Sequence, residues 1–503
     1  MAGVVLETLS TRKLTVLVVS LFVCLVGFFL VGGLVAPAPT STINSIPIHC
    51  VNKDHELGKK APLIPRGEMV CHQVMSLDGK EVHSERIEAN QIVFTDGVKP
   101  LMLLDASLWA KDADDVDWKE LYSAKVERRL DCTIDEKKDG NTYSCDLLPL
   151  FDLGSVYYHY YLLNIRLPVS IKSEHNTQIG QLTEMQFITI FQNGGFTKVW
   201  FSLKTVLFPV TLTALVWFWR RIMQLSRPAN LLERTLFSLG VILSIMNCPI
   251  EWITLWVDAP FMLLLNDIRE GAFYAMLLCF WLIFAGEHMM DQVERNKLSA
   301  YWKHLLAVIV GCLALFIFEM CERGMQLANP FYSIWSTSTG TNAALAFIIM
   351  AGAAACVYFL FLSYMIFRVF RNISSKATSL SQMSNVRRKF YAGLIFRFKF
   401  LMVTTLLCAA LTVIFFIISQ ISEGQWKWGD EGIFMEYSSA FLTGVYGMWN
   451  MYTIALLSLY APSHKTTASA ESLDGTREEE VQLTQIPSES TAFTSIISKS
   501  TID

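Results

Sequence analysis

Four polar residues that could take part in binding lie in or beside long apolar segments: Asn247, Glu251, Glu319 and Asn450. A carboxylate or amide in the hydrocarbon core of a membrane is costly unless it is paired, so such residues mark ligand sites, proton relays or contacts between helices. Two interpretations stay open: a binding site, or hydrogen bonds that only fix helix packing. Glu251 and Glu319 also lie close enough to segment ends to be hydrated.

Signatures of catalysis are absent from the sequence. It contains no HExxH, no GxSxG, no phosphate-binding loop and no dinucleotide fingerprint. We therefore predict that the protein is not an enzyme and carries no cofactor or metal. Its net charge of −4 provides no general attraction to nucleic acid, which we exclude as a partner.

Four of the eleven cysteines lie between the first and second apolar segments: Cys50, Cys71, Cys132 and Cys145. An even number of cysteines in an oxidising compartment indicates disulfides, and four cysteines allow three connectivities. We favour pairing of nearest neighbours, Cys50–Cys71 and Cys132–Cys145. The turn signal Asp139-Gly140-Asn141 lies between the second pair, so that disulfide would join the two strands of a hairpin.

A short motif near the penultimate apolar segment could direct membrane traffic. Tyr391-Ala392-Gly393-Leu394 fits the pattern of a tyrosine followed three residues later by a bulky apolar residue, which clathrin adaptors bind in extended form. The alternative is an ordinary helix at the membrane surface.

Eight segments are long and apolar enough to cross a membrane, which takes about 20 residues as a helix. Hydrophobic residues make up 52% of the chain and charged residues only 17%. The segments are Leu14–Ala36, Val199–Trp219, Thr235–Val257, Gly271–His288, Lys303–Arg323, Ala343–Phe367, Phe396–Ser419 and Ser438–Tyr460. We interpret the first as an uncleaved signal anchor, because it is long for a signal peptide and a proline follows Ala36.

The basic residues predict the orientation of these spans. Alternate loops are rich in arginine and lysine, whereas the short loops on the other side hold only Arg269, Arg323 and Lys427. By the positive-inside rule the N-terminus is cytosolic, and an even number of spans returns the C-terminus to the cytosol. The protein is thus predicted to be a polytopic α-helical membrane protein.

The spans divide the chain into five parts. These are a cytosolic N-terminus (1–13), the signal anchor (14–36), a lumenal domain (37–198), a seven-helix core (199–460) and a cytosolic tail (461–503). Strand-like alternation in the lumenal part, and the Tyr-, Leu- and Ile-rich run Ser155–Val169, predict an antiparallel β-sandwich. The tail is rich in Ser, Thr and Glu and is predicted to be disordered.

Several stretches of the chain are similar to the Wntless family. Two of them are YYHYYLLNIRLP at Tyr157–Pro168 and FLTGVYGMWNMY at Phe441–Tyr452. Others occur at Met1–Leu14, Phe396–Met402, Glu423–Gly429 and Tyr460–Lys465. Together these stretches run from the first residue to the end of the last span.

The resemblance implies a GOLD-like lumenal β-sandwich above a seven-helix core like that of a G-protein-coupled receptor. It implies a cargo receptor that carries acylated Wnt proteins from the endoplasmic reticulum and Golgi to the plasma membrane. It further implies return through endosomes with clathrin adaptors and retromer-type recycling machinery. Tyr391 and Leu394 match the family's endocytic motif in position, although the family usually has an acidic residue where this chain has Ala392.

The resemblance also implies that the cargo's acyl chain lies within the helical core. A 16-carbon chain would lose on the order of 10 kcal/mol on exposure to water, whereas a bundle open to lipid could receive it from the bilayer. We expect aromatic residues in the lumenal halves of the spans to contact it: Phe273, Phe316, Phe318, Tyr446 and Trp449. The alternative, which the residue types alone favour, is that each of them is a packing residue.

Three other functions compete with the cargo receptor. A seven-helix signalling receptor is the first, although the chain lacks the Asp-Arg-Tyr and Asn-Pro-x-x-Tyr motifs in the expected places. A transporter usually has paired broken helices or inverted repeats, which we do not find. A cargo adaptor for general secretion would need only the lumenal domain.

Overall fold

The computed structural model describes most of the helical core and part of the domain that precedes it. The described residues are 5–45, 48–52, 64–66, 69–73, 101–130, 132–134, 143–145, 148–167, 176, 187–225, 227–287, 302–377, 385–428 and 438–463. The predicted turn Asp139-Gly140-Asn141 and the tail beyond 463 lie outside them, so those two predictions stay untested.

Nine α-helices are described. They are α1 (Val5–Thr8), α2 (Thr11–Leu30), α3 (Gly194–Met223), α4 (Leu231–Asn247), α5 (Met262–Glu287), α6 (Trp302–Gln326), α7 (Ser338–Ala377), α8 (Asn385–Trp428) and α9 (Ser438–Leu459). A π-helical turn, Val31–Val35, extends α2, and a 3-10 helix, Ile250–Leu255, follows α4. Polar side chains begin several helices; Asn193, for example, accepts a 2.8 Å hydrogen bond from the N–H of Gly195 at the start of α3.

The eight predicted spans correspond to α2–α9. Seven of these helices meet the length and composition of a membrane span. The exception is α9, whose hydropathy is lowered by residues such as Asn450, yet most of its side chains are buried. Its polar side chains are therefore shielded by other helices rather than exposed to lipid.

Two predicted span boundaries were wrong. The helix predicted from Gly271 begins at Met262, so Arg269, which we had placed in a lumenal loop, lies within α5 and is only 6% exposed. The span predicted as Thr235–Val257 is interrupted after Asn247, because Pro249 cannot continue the α-helical hydrogen bonds.

Helix α9 is at the centre of the bundle. It contacts α2, α3, α4 and α8, and its Trp449 ring also meets Phe273 of α5. Against α2 the packing is close: a Cβ at Gly444 or Gly447 would overlap Phe29 or Phe28, and one at Gly32 would overlap Thr443. The predicted signal anchor is therefore an integral helix of the bundle, packed through small residues.

The domain between α2 and α3, called the β domain below, contains ten described strands. They are β1 (Thr40–Ser45), β2 (Ile48–Asn52), β3 (Ile64–Arg66), β4 (Met69–Gln73), β5 (Leu101–Lys111), β6 (Lys119–Arg129), β7 (Cys132–Ile134), β8 (Tyr143–Cys145), β9 (Tyr160–Arg166) and β10 (Phe187–Gln192). All described pairings are antiparallel, in the orders β1-β10, β2-β4-β3, β6-β5-β9 and β7-β8.

The cysteines follow the strand pairs. A disulfide joins Cys132 and Cys145, which face each other in the β7–β8 pair, as the sequence analysis favoured. Cys50 and Cys71 are likewise direct partners in the β2–β4 register. Their side chains lie outside the described set, so the Cys50–Cys71 disulfide stays a prediction.

Strand β5 supplies the core of the β domain. Its alternate residues, among them Leu104 and Leu108, are buried, as expected for a sheet with one covered face. Phe331, from the loop between α6 and α7, belongs to the same hydrophobic cluster. The β domain therefore shares its core with the end of the helical bundle.

Arg128 on β6 is a second link between the two parts. Its guanidinium donates to the carbonyls of Pro149 (2.7 Å), Leu150 (3.1 Å) and Phe331 (2.6 Å). Burial lowers the pKa of Arg128, and the Glu322 carboxylate at the end of α6 partly opposes that shift. An ion pair between Arg323 of α6 and Asp152 adds another contact.

Helix α1 lies at the opposite end of the bundle, called the far end below. The N–H of Val5 donates to the carbonyl of Ala461 just after α9 (2.9 Å), and Leu6 is 5% exposed within the hydrophobic core. Arg397 of α8 donates to the carbonyls of Leu6 (3.0 Å) and Leu9 (2.9 Å). The N-terminal segment thus covers part of the far end.

The segment Tyr391–Leu394 has helical backbone in the second and third turns of α8. This agrees with the alternative in which the motif forms part of an ordinary helix. Its use as a sorting signal would require these turns to unwind, because adaptor recognition needs an extended chain.

Candidate functional site

Three charged side chains meet inside the bundle, near the β domain. Lys204 of α3 and Arg269 of α5 both donate to Oε1 of Glu251, which lies in the 3-10 helix; the Arg269 contact is 3.3 Å long. All three are at least nine-tenths buried. Buried charges of one sign are tolerated only beside the other sign, so this group holds α3, α5 and the 3-10 helix together.

Arg269 also completes the interrupted end of α4. Its Nη2 donates to the carbonyls of Met246 and Cys248, each at 2.6 Å. The break at Pro249 leaves such carbonyls without partners in their own helix, and a cation is favoured at a helix C-terminus. The interruption of the helix at Pro249 and the buried Arg269 therefore stabilise each other.

An amide pair lies beside these charges. Asn247 of α4 donates to Oδ1 of Asn450 at 2.6 Å and accepts from the hydroxyl of Tyr446 at 2.5 Å. Asn450 in turn donates to the carbonyl of Tyr446 at 2.9 Å. Both asparagines are fully buried. Three of the polar residues singled out in the sequence, Asn247, Glu251 and Asn450, are thus brought together.

An aromatic group adjoins the polar residues. The Trp449 ring lies 5.5 Å from Phe273, 5.2 Å from Tyr274 and 5.6 Å from Phe415, measured between ring centroids. The indole N–H of Trp449 donates to Thr412 at 3.0 Å. Phe273, Tyr446 and Trp449 are at most 4% exposed, so side chains fill this part of the core.

The remaining predicted residues lie elsewhere on α6. Phe318 packs with Ile334 and Ala344 in a separate cluster. Phe316 does not join any of these groups, because it is 48% exposed on the outer surface. Glu319 is half-buried, whereas its neighbour Glu322 is 4% exposed and accepts from the N–H of Ile334 at 2.8 Å.

Sequence reasoning missed two members of the polar group, Lys204 and Arg269. Lys204 stood inside a predicted span and could have been paired with Glu251, since a lone buried cation needs a partner. Arg269 was missed because its helix was predicted to begin at Gly271, whereas it begins at Met262. It lies four residues before Phe273, so both project from one face of α5.

Two atoms of this group have unused hydrogen-bonding capacity. Among the described residues, nothing bonds to Oε2 of Glu251 or to Nε of Arg269. They provide one acceptor and one donor next to the aromatic side chains. The arrangement can therefore bind a ligand that has an apolar part and a polar group at its base.

The comparisons with known proteins cover almost the whole chain. A profile described as "Wntless-like, transmembrane domain" matches residues 193–464, and one described as "Wntless, GOLD domain" matches residues 96–192. The chain belongs to the Wntless family. The part of its β domain from β5 to β10 is accordingly the GOLD domain, and α3–α9 form the Wntless-like transmembrane domain.

Full-length relatives support the Wntless assignment. "Protein wntless homolog" of Mus musculus is 48% identical over 96% of each chain, and that of Homo sapiens is 47% identical over the same share. "Protein wntless" of Drosophila ananassae is 45% identical over 97% of each chain. The prediction of a Wntless family member with a GOLD-like domain and a helical membrane core is confirmed.

Proposed function

We propose that this protein binds acylated Wnt proteins and escorts them from the endoplasmic reticulum and Golgi to the cell surface, shielding the acyl chain in the helical core. The observation that carries the proposal is the match to Wntless proteins through both the GOLD domain and the membrane core. A protein that used only one of these parts for another purpose would not need to retain both.

The proposed orientation places the GOLD domain in the lumen and both termini in the cytosol. Its support is the position of basic residues at the far end of the bundle. Arg12 and Lys13 begin α2, and Arg220 and Arg221 end α3. Cytosolic loops carry such an excess of lysine and arginine.

The proposed acyl site is the aromatic group around Trp449 and Phe273. An acyl chain moving there from the bilayer avoids the exposure to water that would cost on the order of 10 kcal/mol. Because side chains fill the site, the acyl chain enters as helices separate rather than by filling a preformed cavity. Nε of Arg269 can then donate to the ester carbonyl, and Oε2 of Glu251 can accept from a backbone N–H of the cargo.

A signalling receptor is the alternative that a seven-helix core suggests. The position of α1 argues against it, since Val5 and Leu6 occupy the far end of the bundle, where a cytosolic partner would dock. Nucleotide exchange on a G protein, stimulated by the purified protein and ligand, would instead favour signalling.

The deciding experiment is co-purification with a Wnt protein, comparing the acylated form with a form whose acylated serine is replaced by alanine. The acylated form should be recovered roughly tenfold better, because most of the contact energy is apolar. Trp449→Ala should weaken recovery, while Phe367→Ala, a change at a side chain 66% exposed on α7, should not. Equal recovery of the two Wnt forms would refute acyl shielding.

A further inference from the structure

A second candidate site lies where the GOLD domain meets the bundle, apart from the polar group of Lys204, Glu251 and Arg269. It is a cavity of 70 Å³. One wall comes from β6, β9 and the segment before β9, and the other from the start of α5 and the end of α6. A ligand bound here would contact both parts of the protein at the level where the membrane helices end.

Tyrosines form much of the wall on the GOLD side. Tyr122, Tyr158 and Tyr161 line the cavity, and the rings of Tyr158 and Tyr161 are 6.1 Å apart at an angle of 78°. The hydroxyl of Tyr161 accepts from the N–H groups of Tyr157 (3.0 Å) and Tyr158 (3.1 Å), which fixes its ring. Aromatic side chains set at such angles form the cages that bind quaternary ammonium groups.

The charge in the cavity is negative. Asp152 is paired with Arg323, so those two charges cancel. Asp258 accepts a 3.0 Å hydrogen bond from the hydroxyl of Ser155, and no cation among the described residues pairs with it. Burial raises the pKa of Tyr161, and the Asp258 carboxylate adds to that effect. The potential therefore favours a cation beside Asp258.

Apart from Gln326, whose amide is already bonded to Glu322, Arg323 and the carbonyl of Tyr332, the remaining side chains of the wall are apolar, and they select the kind of cation. Leu263 and Leu264 of α5 and Leu327 after α6 offer no hydrogen-bond acceptors from their side chains. A primary ammonium has three N–H donors that need acceptors, whereas a trimethylammonium group has none and buries its methyl groups against such walls. The small volume suits a headgroup of a few heavy atoms.

We propose that this cavity binds the trimethylammonium group of a choline lipid from the adjacent membrane leaflet. Phe261, beside the wall residue Pro260, is 52% exposed, and Met325 on α6 is 51% exposed. On α6, Phe316 and Met320 precede Arg323 at helical spacing, so the three side chains lie on one face of the helix. Met320 is 39% exposed and Phe316 is 48% exposed. They provide an apolar track for an acyl chain, which gives Phe316 a contact outside the core.

The lipid would act as a bridge between the GOLD domain and the bundle. Its headgroup contacts Tyr158 and Tyr161 on one side and Asp258 on the other, while its acyl chains stay in the membrane. This role is independent of cargo binding, because none of these residues belongs to the proposed acyl site.

The test measures lipid retained by the purified full-length protein. The protein is exchanged into nanodiscs of phosphatidylcholine mixed with phosphatidylglycerol, re-extracted in mild detergent, and its bound lipid is counted by mass spectrometry. We expect phosphatidylcholine to be enriched over phosphatidylglycerol, and Asp258→Asn to reduce that enrichment roughly tenfold. Tyr158→Leu, which keeps an apolar wall without the ring, should do the same, while Asp114→Asn on an exposed loop should not.

Soluble competitors separate the sources of the cation. Glycerophosphocholine should displace phosphatidylcholine from the unsubstituted protein, which would show that the headgroup is recognised. Displacement by lysine ethyl ester but not by glycerophosphocholine would assign the site to a basic side chain of a protein partner and overturn the lipid proposal. Equal retention of both lipids, or no effect of either Asp258→Asn or Tyr158→Leu, would overturn it as well.

Discussion

At the scale of single residues, the buried polar groups of this protein join its parts. Lys204, Glu251 and Arg269 connect three helical segments, and Arg128 connects the GOLD domain to the loop of Phe331. Arginine suits the positions of Arg128 and Arg269, because its planar guanidinium holds five N–H donors in a rigid fork that reaches carbonyls in fixed directions, whereas the ammonium of lysine is a compact charge on a flexible chain. Each is therefore sensitive to substitutions that keep the charge.

Arg128→Met should lower the stability of the whole protein. Three carbonyls would lose their donor in a buried setting, at a cost of about 3 kcal/mol, which for a chain of this length corresponds to about 3 °C in the unfolding midpoint. Thermal unfolding of the detergent-purified protein measures the change. Arg129→Met is the matched control, because Arg129 is the exposed neighbour on the same strand. Equal shifts for both variants would contradict a specific role for Arg128.

At the scale of elements, the sequence predicts which segments form helices better than where they end. Apolar length identified all eight long helices, including α9, because interrupting polar residues are few. The start of α5 was misplaced because a buried arginine resembles a loop residue until its partners are known. The cluster around Arg269 depends on contacts between residues distant in sequence, which the spacing of residues within one helix does not specify.

Gly447→Leu should disrupt the packing of α2 against α9. A side chain there would overlap Phe28, and overpacking of this kind costs about 1–3 kcal/mol. We expect a lower unfolding midpoint and less mature protein at the cell surface. Gly352→Leu on α7, where a Cβ would meet nothing within 4 Å, should behave like the unsubstituted chain. An unchanged unfolding midpoint and surface level of the Gly447→Leu protein would show that α2 is not held through this contact.

Tyr391→Ala should slow internalisation of the protein if the recycling that the family resemblance implies uses Tyr391–Leu394. The segment is helical in α8, so an adaptor must unwind about one turn before it can bind both side chains. Uptake of surface-labelled protein measures the effect. Phe396→Ala, at an exposed position further along the same helix, serves as the control. An unchanged uptake rate for Tyr391→Ala would remove the motif from the recycling proposal.

At the scale of the whole molecule, parts of the protein's own chain cover one end of the helical bundle and part of the other. The GOLD domain covers one end through Arg128 and the shared cluster at Phe331, and α1 covers part of the other. This closure limits which surfaces a partner can reach. It favours a protein that holds cargo from the GOLD side over one that signals through the far end.

Cysteine accessibility tests the cover at the far end. Leu6→Cys should react with a membrane-impermeant maleimide roughly tenfold more slowly than Arg12→Cys, because Leu6 is buried and Arg12 is exposed. Adding Arg397→Gln, which removes the donor to the carbonyls of Leu6 and Leu9, should speed labelling at position 6. Both cysteines should react from the cytosolic side. Fast labelling of Leu6→Cys in a protein that keeps Arg397 would show that α1 does not cover the far end.

The contact between α2 and α9 has a consequence for biosynthesis. The ribosome makes α2 long before α9, with more than 400 residues between Gly32 and Thr443, yet Gly32 lies so close to α9 that a Cβ there would overlap Thr443. Until α9 enters the membrane, α2 lacks this partner, and the bundle cannot close. A chain truncated before α9 leaves Phe28 and Phe29 without Gly447 and Gly444, the glycines against which they pack. Quality control in the membrane can recognise this defect.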